Sequence, residues 1–290
     1  MPDLPPSLPL STDLPPDALR VLATAQRHET PCGDGPMVWH VWGDPQGTPM
    51  LLLHGGSGSW THWLRNVQAL AASVRRVVVP DLPGFGVSAV AAGNDDADGE
   101  VDPLDQVLRA LLGDAPCDVV GFSFGGLTGG LLAGKHPGRV RRLVLVGAPG
   151  MGLRNRRLSL TPWRHLEDAQ ERNAVHRANL AVLMLHAPEA IDATAVALQA
   201  ANVPRDRMRG RFLALTDILA RTLPALDCPI DAIYGEQDAL YRGRLDELEA
   251  VLRTAPAFGR LVLLPGAGHW VQYEAAQAFD QALLELLAGR

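Results

Sequence analysis

The stretch Gly-Phe-Ser-Phe-Gly at residues 121–125 decides the fold of this 290-residue chain. It follows the apolar run 117–120, which is typical of a buried strand, and it leads into a helical pattern at 126–135. The glycines two residues on either side of Ser123 suit a turn that is too tight for a Cβ at those positions. Such a strand–turn–helix connection exposes a serine hydroxyl at the edge of a sheet and points a helix N-terminus at it. The stretch therefore predicts a candidate nucleophile, Ser123, in an α/β protein.

Short apolar runs alternate with longer helical patterns on both sides of this turn. The runs are bounded by Gly, Pro or Asp and mostly lack polar alternation, as expected for strands that are buried on both faces of a parallel sheet. The predicted strands are residues 37–42, 50–53, 77–79, 118–121, 143–146, 230–234 and 261–264. Further helices are predicted at 104–112 and at 270–287. This alternation predicts a mainly parallel central sheet that is flanked by helices.

The alternation is interrupted between residues 150 and 223, where no convincing strand occurs. Residues 158–187 and 190–219 are predicted as helices rich in Arg, Ala and Leu, with breaks at Pro162 and Pro204. A helical segment inserted between two strand-bearing halves predicts a cap, or lid, over a core domain. The predicted boundaries are a core domain at 20–149 and 224–290, a helical cap at 150–223 and a loose proline-rich arm at 1–19.

Composition restricts the class of protein. Hydrophobic residues make up 47% of the chain and charged residues 20%, as in ordinary globular proteins, and the net charge of −6 offers no basic excess for nucleic acid. Three scattered cysteines without a C-x-x-C pair indicate reduced thiols. No apolar run approaches the length of a membrane span, and no signal pattern begins the sequence. We therefore expect a cytoplasmic protein with a small-molecule substrate, no nucleic-acid or membrane partner, and a monomeric or dimeric state.

Two later segments supply the groups that a serine nucleophile needs. Asp238 lies just after the predicted strand 230–234, and His269 lies just after the last predicted strand. Serine is a weak nucleophile at neutral pH, so an imidazole must take its proton and a carboxylate must fix the tautomer of that imidazole. We therefore predict a catalytic triad of Ser123, Asp238 and His269. Glu236 lies nearer the strand and is the weaker candidate for the acid.

A His-Gly-Gly turn follows the predicted strand 50–53. Such a turn supplies one backbone N–H to an oxyanion, beside the N–H of the residue after the nucleophile. We assign these two donors to Gly56 and Phe124 and expect His54 to brace the loop by hydrogen bonding. A glycine-rich run that resembles a phosphate loop has His136 where Ser or Thr must bind magnesium, and no metal-binding motif occurs. The sequence therefore predicts neither a cofactor nor a metal.

Together these motifs resemble the α/β-hydrolase superfamily, in its serine-nucleophile branch. The motifs are His-Gly-Gly at 54–56, Asp-Leu-Pro-Gly-Phe-Gly-Val-Ser at 81–88, the turn at 121–125, Gly235 to Asp238, and Gly268-His269. The resemblance covers nearly the whole chain outside the proline-rich arm and the cap. It implies the α/β-hydrolase fold, the chain order Ser–Asp–His for the triad, and a role for Asp81 in bracing the loop after a central strand.

A narrower resemblance concerns residues 268–274, Gly-His-Trp-Val-Gln-Tyr-Glu, which are similar to a segment of the meta-cleavage-product hydrolases. Those enzymes cut a carbon–carbon bond in ring-opened aromatic diketo acids. The resemblance implies that Trp270 lines the substrate pocket, and we add Phe122 and His62 as candidate contacts. That family usually has Asn in place of Phe122, and its cap arginine has no counterpart in residues 197–202.

Four functions are therefore open at this stage. Hydrolysis of a small carboxylic ester and hydrolysis of a C–C bond use the same predicted triad. Cofactor-free haloperoxidase or lyase chemistry would use it as well. A non-catalytic ligand receptor has no need of Asp238 and His269 in register with Ser123, so the complete set speaks against that alternative.

The predicted cap is positively charged, unlike the rest of the chain. Between residues 150 and 222 there are eleven arginines and seven acidic residues, a net charge of +4, whereas the whole chain carries −6. One interpretation is that this charge draws an anionic substrate toward the site. The other is that the arginines lie on the surface and pair with the acidic core domain, where such pairs contribute little.

Overall fold

The computed structural model describes residues 13–91, 93, 95–153, 158–208 and 210–289. Its centre is an eight-stranded sheet with the order β1-β2-β4-β3-β5-β6-β7-β8. The strands are β1 (Gln26–Cys32), β2 (Gly35–Gly43), β3 (Thr48–Leu53), β4 (Arg75–Pro80), β5 (Cys117–Phe122), β6 (Val140–Val146), β7 (Ile230–Gly235) and β8 (Phe258–Leu264). β2 runs antiparallel to β1 and β4, and every other pair is parallel. The prediction of a mainly parallel sheet is confirmed.

Helices cover both faces of the sheet. They are α1 (Pro16–Leu22), α2 (Val67–Ala72), α3 (Val101–Leu112), α4 (Phe124–Lys135), α5 (Ala169–Asn179), α6 (Ala193–Asn202), α7 (Ile218–Thr222), α8 (Leu245–Leu252), α9 (Val271–Glu274) and α10 (Ala276–Ala288). Successive side chains of a strand point to opposite faces. Leu51 and Leu53 of β3 therefore belong to a core with α3, α4 and α8, whereas Met50 and Leu52 belong to a core with α2 and α10.

The central strand β5 explains why the sequence pattern lacks polar alternation. All of its residues are buried, because β3 and β6 flank it and both faces are covered. Close packing then fixes the turn that follows. A Cβ at Gly121 would lie 2.4 Å from the carbonyl oxygen of Gly125, and a Cβ at Gly125 would lie 2.5 Å from that of Leu53. Only glycine lets α4 begin directly after Ser123 while lying this close to β3.

Two sequence-based expectations about regular elements differ from the structure. β1 was not predicted, because it is an edge strand whose side chains are mostly exposed or half-buried and polar. The helix predicted at 270–287 is two helices, α9 and α10, which are separated at Ala275, where φ is −119° and ψ is 47°. This non-helical residue interrupts the helical hydrogen bonds.

The C-terminal end of the predicted proline-rich arm is helical. α1 begins at Pro16, a residue type that suits the first helical position, and it buries Ala18 against the core. Residues 16–19 therefore belong to an ordered helix, and residues 1–12 of the predicted arm lie outside the described residues. Within the described ranges, no helix combines the length and the apolar character needed to cross a bilayer.

The inserted segment, residues 150–223, connects β6 to β7 and is helical only in part. It contains α5, a π-helical turn at Leu180–Met184, α6, α7 and several 3₁₀ turns. The prediction of two long helices is wrong. Most of 158–168 is irregular, and α6 ends at Asn202, two residues before Pro204. The role of this segment as a cap stays a prediction.

Candidate active site

Ser123 lies on the turn between β5 and α4 with an unusual backbone conformation. Its φ is 50°, which is unfavourable for a residue that carries a Cβ and persists only where the surroundings hold it. The Ser123 N–H donates to the carbonyl of Val146 on β6 at 2.7 Å, and α4 begins at the next residue. The turn thereby places Ser123 at the carboxyl edge of the parallel strands, beside the N-terminus of α4.

The structure brings the three predicted residues into hydrogen-bonding order. Nε2 of His269 lies 2.9 Å from Oγ of Ser123, and Nδ1 lies 2.9 Å from the nearer carboxylate oxygen of Asp238. Because the carboxylate accepts, Nδ1 carries the proton and Nε2 is left to accept from the serine hydroxyl. Asp238 is fully buried, and its Oδ1 also accepts the N–H of Leu240 at 2.9 Å. Glu236, the weaker candidate acid, does not take this place.

Two tyrosines support the loop that carries Asp238. The hydroxyls of Tyr234 and Tyr241 both donate to the carbonyl of Ala148, at 3.1 and 2.6 Å. Burial, followed by the charge of Asp238, raises the pKa of Tyr241 well above its usual range, and burial does the same for Tyr234. Both phenols therefore stay protonated and hold the chain after β6 next to the carboxylate.

Glu274 fixes the loop that carries His269, a role that sequence reasoning missed. Its carboxylate accepts the N–H groups of Gly268 at 2.7 Å, of Ala187 at 2.6 Å and of His186 at 3.0 Å. Glu274 thus joins the histidine loop to the inserted segment. Its place in the segment 268–274 was the one sequence feature that pointed to Glu274, but the sequence did not predict the hydrogen-bond partners of its side chain.

The loop at residues 55–57, which we call the oxyanion loop after the predicted role of Gly56, lies beside Ser123. A Cβ at Gly55 would lie 3.2 Å from the Cβ of Ser123. Among the described residues, none accepts a hydrogen bond from the N–H of Gly56 or of Phe124. These two donors, predicted for an oxyanion hole, are therefore not committed to protein acceptors in the described part of the chain.

His54 braces the oxyanion loop, as predicted. Its Nε2 accepts the N–H of Leu82 at 2.9 Å, so its Nδ1 donates to the carbonyl of Gly55 at 2.8 Å. Burial lowers the pKa of His54, which favours this neutral form. Asp81 acts similarly on the next loop, because its carboxylate accepts the N–H groups of Trp60 and Val87.

The three predicted substrate contacts lie behind the oxyanion loop. The exposed fractions of Phe122, His62 and Trp270 are 0, 2 and 1%. Nδ1 of His62 accepts the N–H of Gly55 at 3.1 Å, and the ring of His62 packs edge-on against Trp270 at 4.9 Å. Burial lowers the pKa of His62 well below its usual range, so this imidazole is a neutral acceptor. In this structure the three side chains are buried around the loop, and their role as substrate contacts stays a prediction.

A cavity of about 470 Å³ adjoins the oxyanion loop on the side of the inserted segment. Its lining includes Ser57, Trp163, Arg164, Val203 and Arg211. The walls combine apolar and polar groups, which suits a small organic molecule. No group of three His, Cys, Asp or Glu side chains within the described part of the chain is arranged to hold a metal ion.

The arginines of the inserted segment that lie nearest the core are engaged in contacts. Arg205 pairs with Asp13, and Arg207 donates to the carbonyl groups of residues 85, 86 and 88. Arg211 pairs with Asp206. None of these three arginines pairs with a carboxylate of the predicted core domain, so the pairing interpretation stays a prediction. Four of the eleven arginines, Arg154, Arg156, Arg157 and Arg209, lie outside the described residues.

Comparison with known proteins agrees with this geometry. The sequence profile of the alpha/beta hydrolase fold family matches residues 48–276. The chain is 34% identical over 260 residues to 2-hydroxymuconate semialdehyde hydrolase from Pseudomonas sp. (strain CF600), which is 83% of this chain and 87% of that protein. It is 31% identical over 264 residues to the dihydrolipoyllysine-residue acetyltransferase component of an acetoin cleaving system from Pseudomonas putida. That match covers 86% of this chain and 66% of the relative, just under two thirds of its length.

A solved structure gives the same result. The thermophilic esterase from Thermogutta terrifontis superposes with a TM-score of 0.67 at 26% sequence identity, covering 91% of this chain and 98% of the esterase. The sheet order, the turn at Ser123 and the family profile all agree. This chain belongs to the α/β-hydrolase fold family.

Proposed function

We propose that this hydrolase cleaves small carboxylic esters through a serine nucleophile. Ser123 is the nucleophile, His269 is the general base, and Asp238 orients the imidazole. The backbone N–H groups of Gly56 and Phe124 bind the oxyanion, and the inserted segment acts as a cap. The observation that carries the proposal is the 2.9 Å contact between Nε2 of His269 and Oγ of Ser123, which is continued to Asp238.

The geometry supports a two-step reaction. Oγ of Ser123 attacks the ester carbonyl while Nε2 of His269 takes the hydroxyl proton, and the carbonyl oxygen becomes an oxyanion. The two backbone N–H groups and the N-terminus of α4 stabilise that charge. The imidazolium then protonates the departing alkoxide, which leaves an acyl-serine. A water molecule, deprotonated by the same imidazole, releases the acid and restores Ser123.

A second candidate is hydrolysis of a C–C bond in a ring-cleavage product. The relative from Pseudomonas sp. (strain CF600) carries a name of that kind at 34% identity, and residues 268–274 resemble that group of enzymes. Both reactions need the same nucleophile and base, so the triad geometry does not separate them. The ester is supported by two departures from that group, Phe122 in place of the usual Asn and the lack of an arginine in residues 197–202, and by the similarity to the esterase.

The test measures turnover of p-nitrophenyl acetate and of 2-hydroxymuconate semialdehyde by the purified protein. We expect ester turnover that Ser123→Ala reduces by about 10⁴-fold or more, with the thermal melting curve retained. A phosphonofluoridate probe should label the wild-type protein on Ser123. Turnover of the semialdehyde alone would transfer the assignment to C–C cleavage. Ester turnover that survives Ser123→Ala would remove Ser123 from the mechanism.

A further inference from the structure

Ser57 has a backbone conformation that something must hold in place. Three non-glycine residues among those described have a positive φ: Ser57 at 53°, Val74 at 60° and Ser123 at 50°. Val74 is a surface residue with 68% exposure, and Ser123 is the proposed nucleophile. A non-glycine residue in this region costs about 1–3 kcal/mol, and it persists only where surrounding contacts over-determine it. Ser57 directly follows Gly56, the proposed oxyanion donor.

The contacts that hold Ser57 come from the inserted segment. Oγ of Ser57 donates to Oδ2 of Asp206 and accepts from Nη1 of Arg211 at 3.1 Å. Nη2 of Arg211 donates to the same Oδ2 at 2.8 Å, and the N–H of Met208 donates to Oδ1 at 3.2 Å. The side chain of Asp206 is only 7% exposed. We name Ser57, Asp206 and Arg211 the clasp, since each member contacts the other two.

The clasp and the turn of Ser123 contact neighbouring residues of the oxyanion loop. A Cβ at Gly56 would lie 2.5 Å from Nη1 of Arg211, so the guanidinium rests directly on that residue. A Cβ at Gly55 would lie 2.9 Å from the ring of Phe122 and 3.2 Å from the Cβ of Ser123. The loop is therefore packed closely against both the turn of Ser123 and the clasp.

Gly56 itself contributes nothing to its own orientation. A glycine has no Cβ to restrict its φ and ψ, so the direction of its N–H depends on the residues that flank it. Gly55 is fixed by its N–H bond to Nδ1 of His62 at 3.1 Å. Among the described residues, the side chain of Ser57 forms hydrogen bonds only with Asp206 and Arg211, the other two members of the clasp.

We propose that Asp206 and Arg211 are positioning residues for the oxyanion hole: they hold Ser57 at positive φ and thereby aim the N–H of Gly56. This inference rests on the proposed function of the site. It gives the inserted segment a part in the chemical step, through Asp206, which lies 149 residues after Ser57 in the sequence. The contrasting explanation is that the clasp only docks the inserted segment onto the core.

Two substitutions of Ser57 separate these explanations. Ser57→Ala and Ser57→Gly both remove the hydroxyl, but only alanine keeps the Cβ that disfavours positive φ. If the clasp positions the loop, Ser57→Ala should lose about tenfold more kcat toward p-nitrophenyl acetate than Ser57→Gly, because misaligning an oxyanion donor acts on the transition state. KM should stay within about twofold in both variants. A pure docking role would lower kcat equally in the two.

A transition-state analogue gives a second readout. Phenylboronic acid forms a tetrahedral adduct with a catalytic serine and places an oxygen in the oxyanion hole. Its inhibition constant should therefore rise in parallel with the loss of kcat in Ser57→Ala. Asp206→Asn should act in the same direction. The matched control is Asp217→Asn, which removes the carboxylate of an exposed pair with Arg221 in the same segment and should leave both values unchanged.

The test also holds if Ser57→Ala fails to fold. Asp206→Asn should then cost several-fold less kcat in the Ser57→Gly background than in the wild type, because glycine no longer needs the clasp. Equal costs in the two backgrounds, or equal kcat for Ser57→Ala and Ser57→Gly, would overturn the inference. Failure of the proposed function looks different, because Ser123→Ala would then keep its activity whatever residue 57 is.

Discussion

At the scale of single residues, two neighbouring acids are candidates for the carboxylate that contacts His269. Glu236 and Asp238 follow the same strand, but only Asp238 contacts His269. The N–H of Glu236 is held by the carbonyl of Leu264 on β8, which keeps residue 236 in line with the sheet. Two residues later the chain has left the strand, so the carboxylate of Asp238 turns toward the histidine loop.

Asp238→Asn should therefore leave the fold intact and reduce kcat by about 10⁴-fold, because an amide that donates to Nδ1 selects the wrong imidazole tautomer. The matched control is Glu236→Gln, which changes the neighbouring acid in the same loop and should keep kcat within about twofold. Steady-state kinetics with p-nitrophenyl acetate measures both. If Glu236→Gln lost most of its kcat while Asp238→Asn kept it, Glu236 would be the acid that orients His269.

The sequence was sufficient to place residues whose position depends on where a strand ends. Ser123, Asp238 and His269 each follow a predicted strand, and parallel strands bring their carboxyl ends to one edge. It was insufficient for residues whose role depends on packing between distant segments. His62 and Trp270 are residue types that often line pockets, but in this structure they brace a loop. Glu274 accepts hydrogen bonds that no local sequence pattern predicts.

At the scale of elements, buried strands were predictable and exposed or irregular segments were not. β5 is apolar because both of its faces are covered, so composition identifies it. β1 is an edge strand with polar residues such as Arg27 and Glu29. It is held by backbone pairing with β2, so its sequence shows no apolar pattern that would identify a strand. In the inserted segment, the high content of Ala and Leu predicts long helices, but the segment forms short ones, because tertiary contacts and prolines override helix propensity.

The glycines of α4 differ in what an added methyl group would meet. At Gly125 a Cβ would lie 2.5 and 2.6 Å from the carbonyl oxygens of Leu53 and His54, which are backbone atoms. At Gly130 it would lie 2.3 Å from a terminal methyl of Leu219, which can rotate away. Gly125→Ala should therefore lower the free energy of unfolding by several kcal/mol, about 3 or more, or prevent folding.

Gly130→Ala is the matched comparison in the same helix. Alanine gains about 1 kcal/mol of helix propensity over glycine, which offsets part of the cost of moving Leu219. Its free energy of unfolding should stay within about 1 kcal/mol of the wild-type value in urea titrations. A Gly125→Ala protein as stable as Gly130→Ala would show that α4 can shift away from β3.

At the scale of the whole molecule, three described arginines of the inserted segment, Arg205, Arg207 and Arg211, are held in contacts. Two of them pair with carboxylates, so we expect the segment to exert no guiding field on anionic substrates. Raising the ionic strength should change kcat/KM by the same factor for a carboxylate-bearing ester and for a neutral ester of matched size. A decrease confined to the anionic ester would show that the arginines draw substrate to the site.

Stability should depend on pH through Asp280, a buried carboxyl on α10. Burial raises its pKa from 3.8 to about 6, although the hydrogen bond from Asn66 opposes this. Between those pH values the folded state binds more protons than the unfolded state, so this group lowers stability as pH rises from about 4 to 6. Asp280→Asn should remove that loss and raise the free energy of unfolding at pH 7 by about 1–3 kcal/mol.

Thermal melting of wild-type and Asp280→Asn proteins from pH 4 to pH 8 measures this difference. The two melting temperatures should agree near pH 4 and separate as pH rises. The comparison variant is Asp246→Asn, which removes an exposed carboxylate of α8. A constant difference for Asp280→Asn would mean that its carboxyl titrates alike in the folded and unfolded states.

The order of the strands along the chain has a consequence for protein synthesis. β5 to β8 join the sheet in chain order, and the inserted segment is made between β6 and β7. The turn of Ser123 and the oxyanion loop therefore leave the ribosome well before Asp238 and His269. A nascent chain can carry a finished nucleophile turn, but the serine has no proton acceptor. On the proposed mechanism, hydrolysis begins only when β8 and the histidine loop have been translated, so an unfinished chain is inactive toward esters.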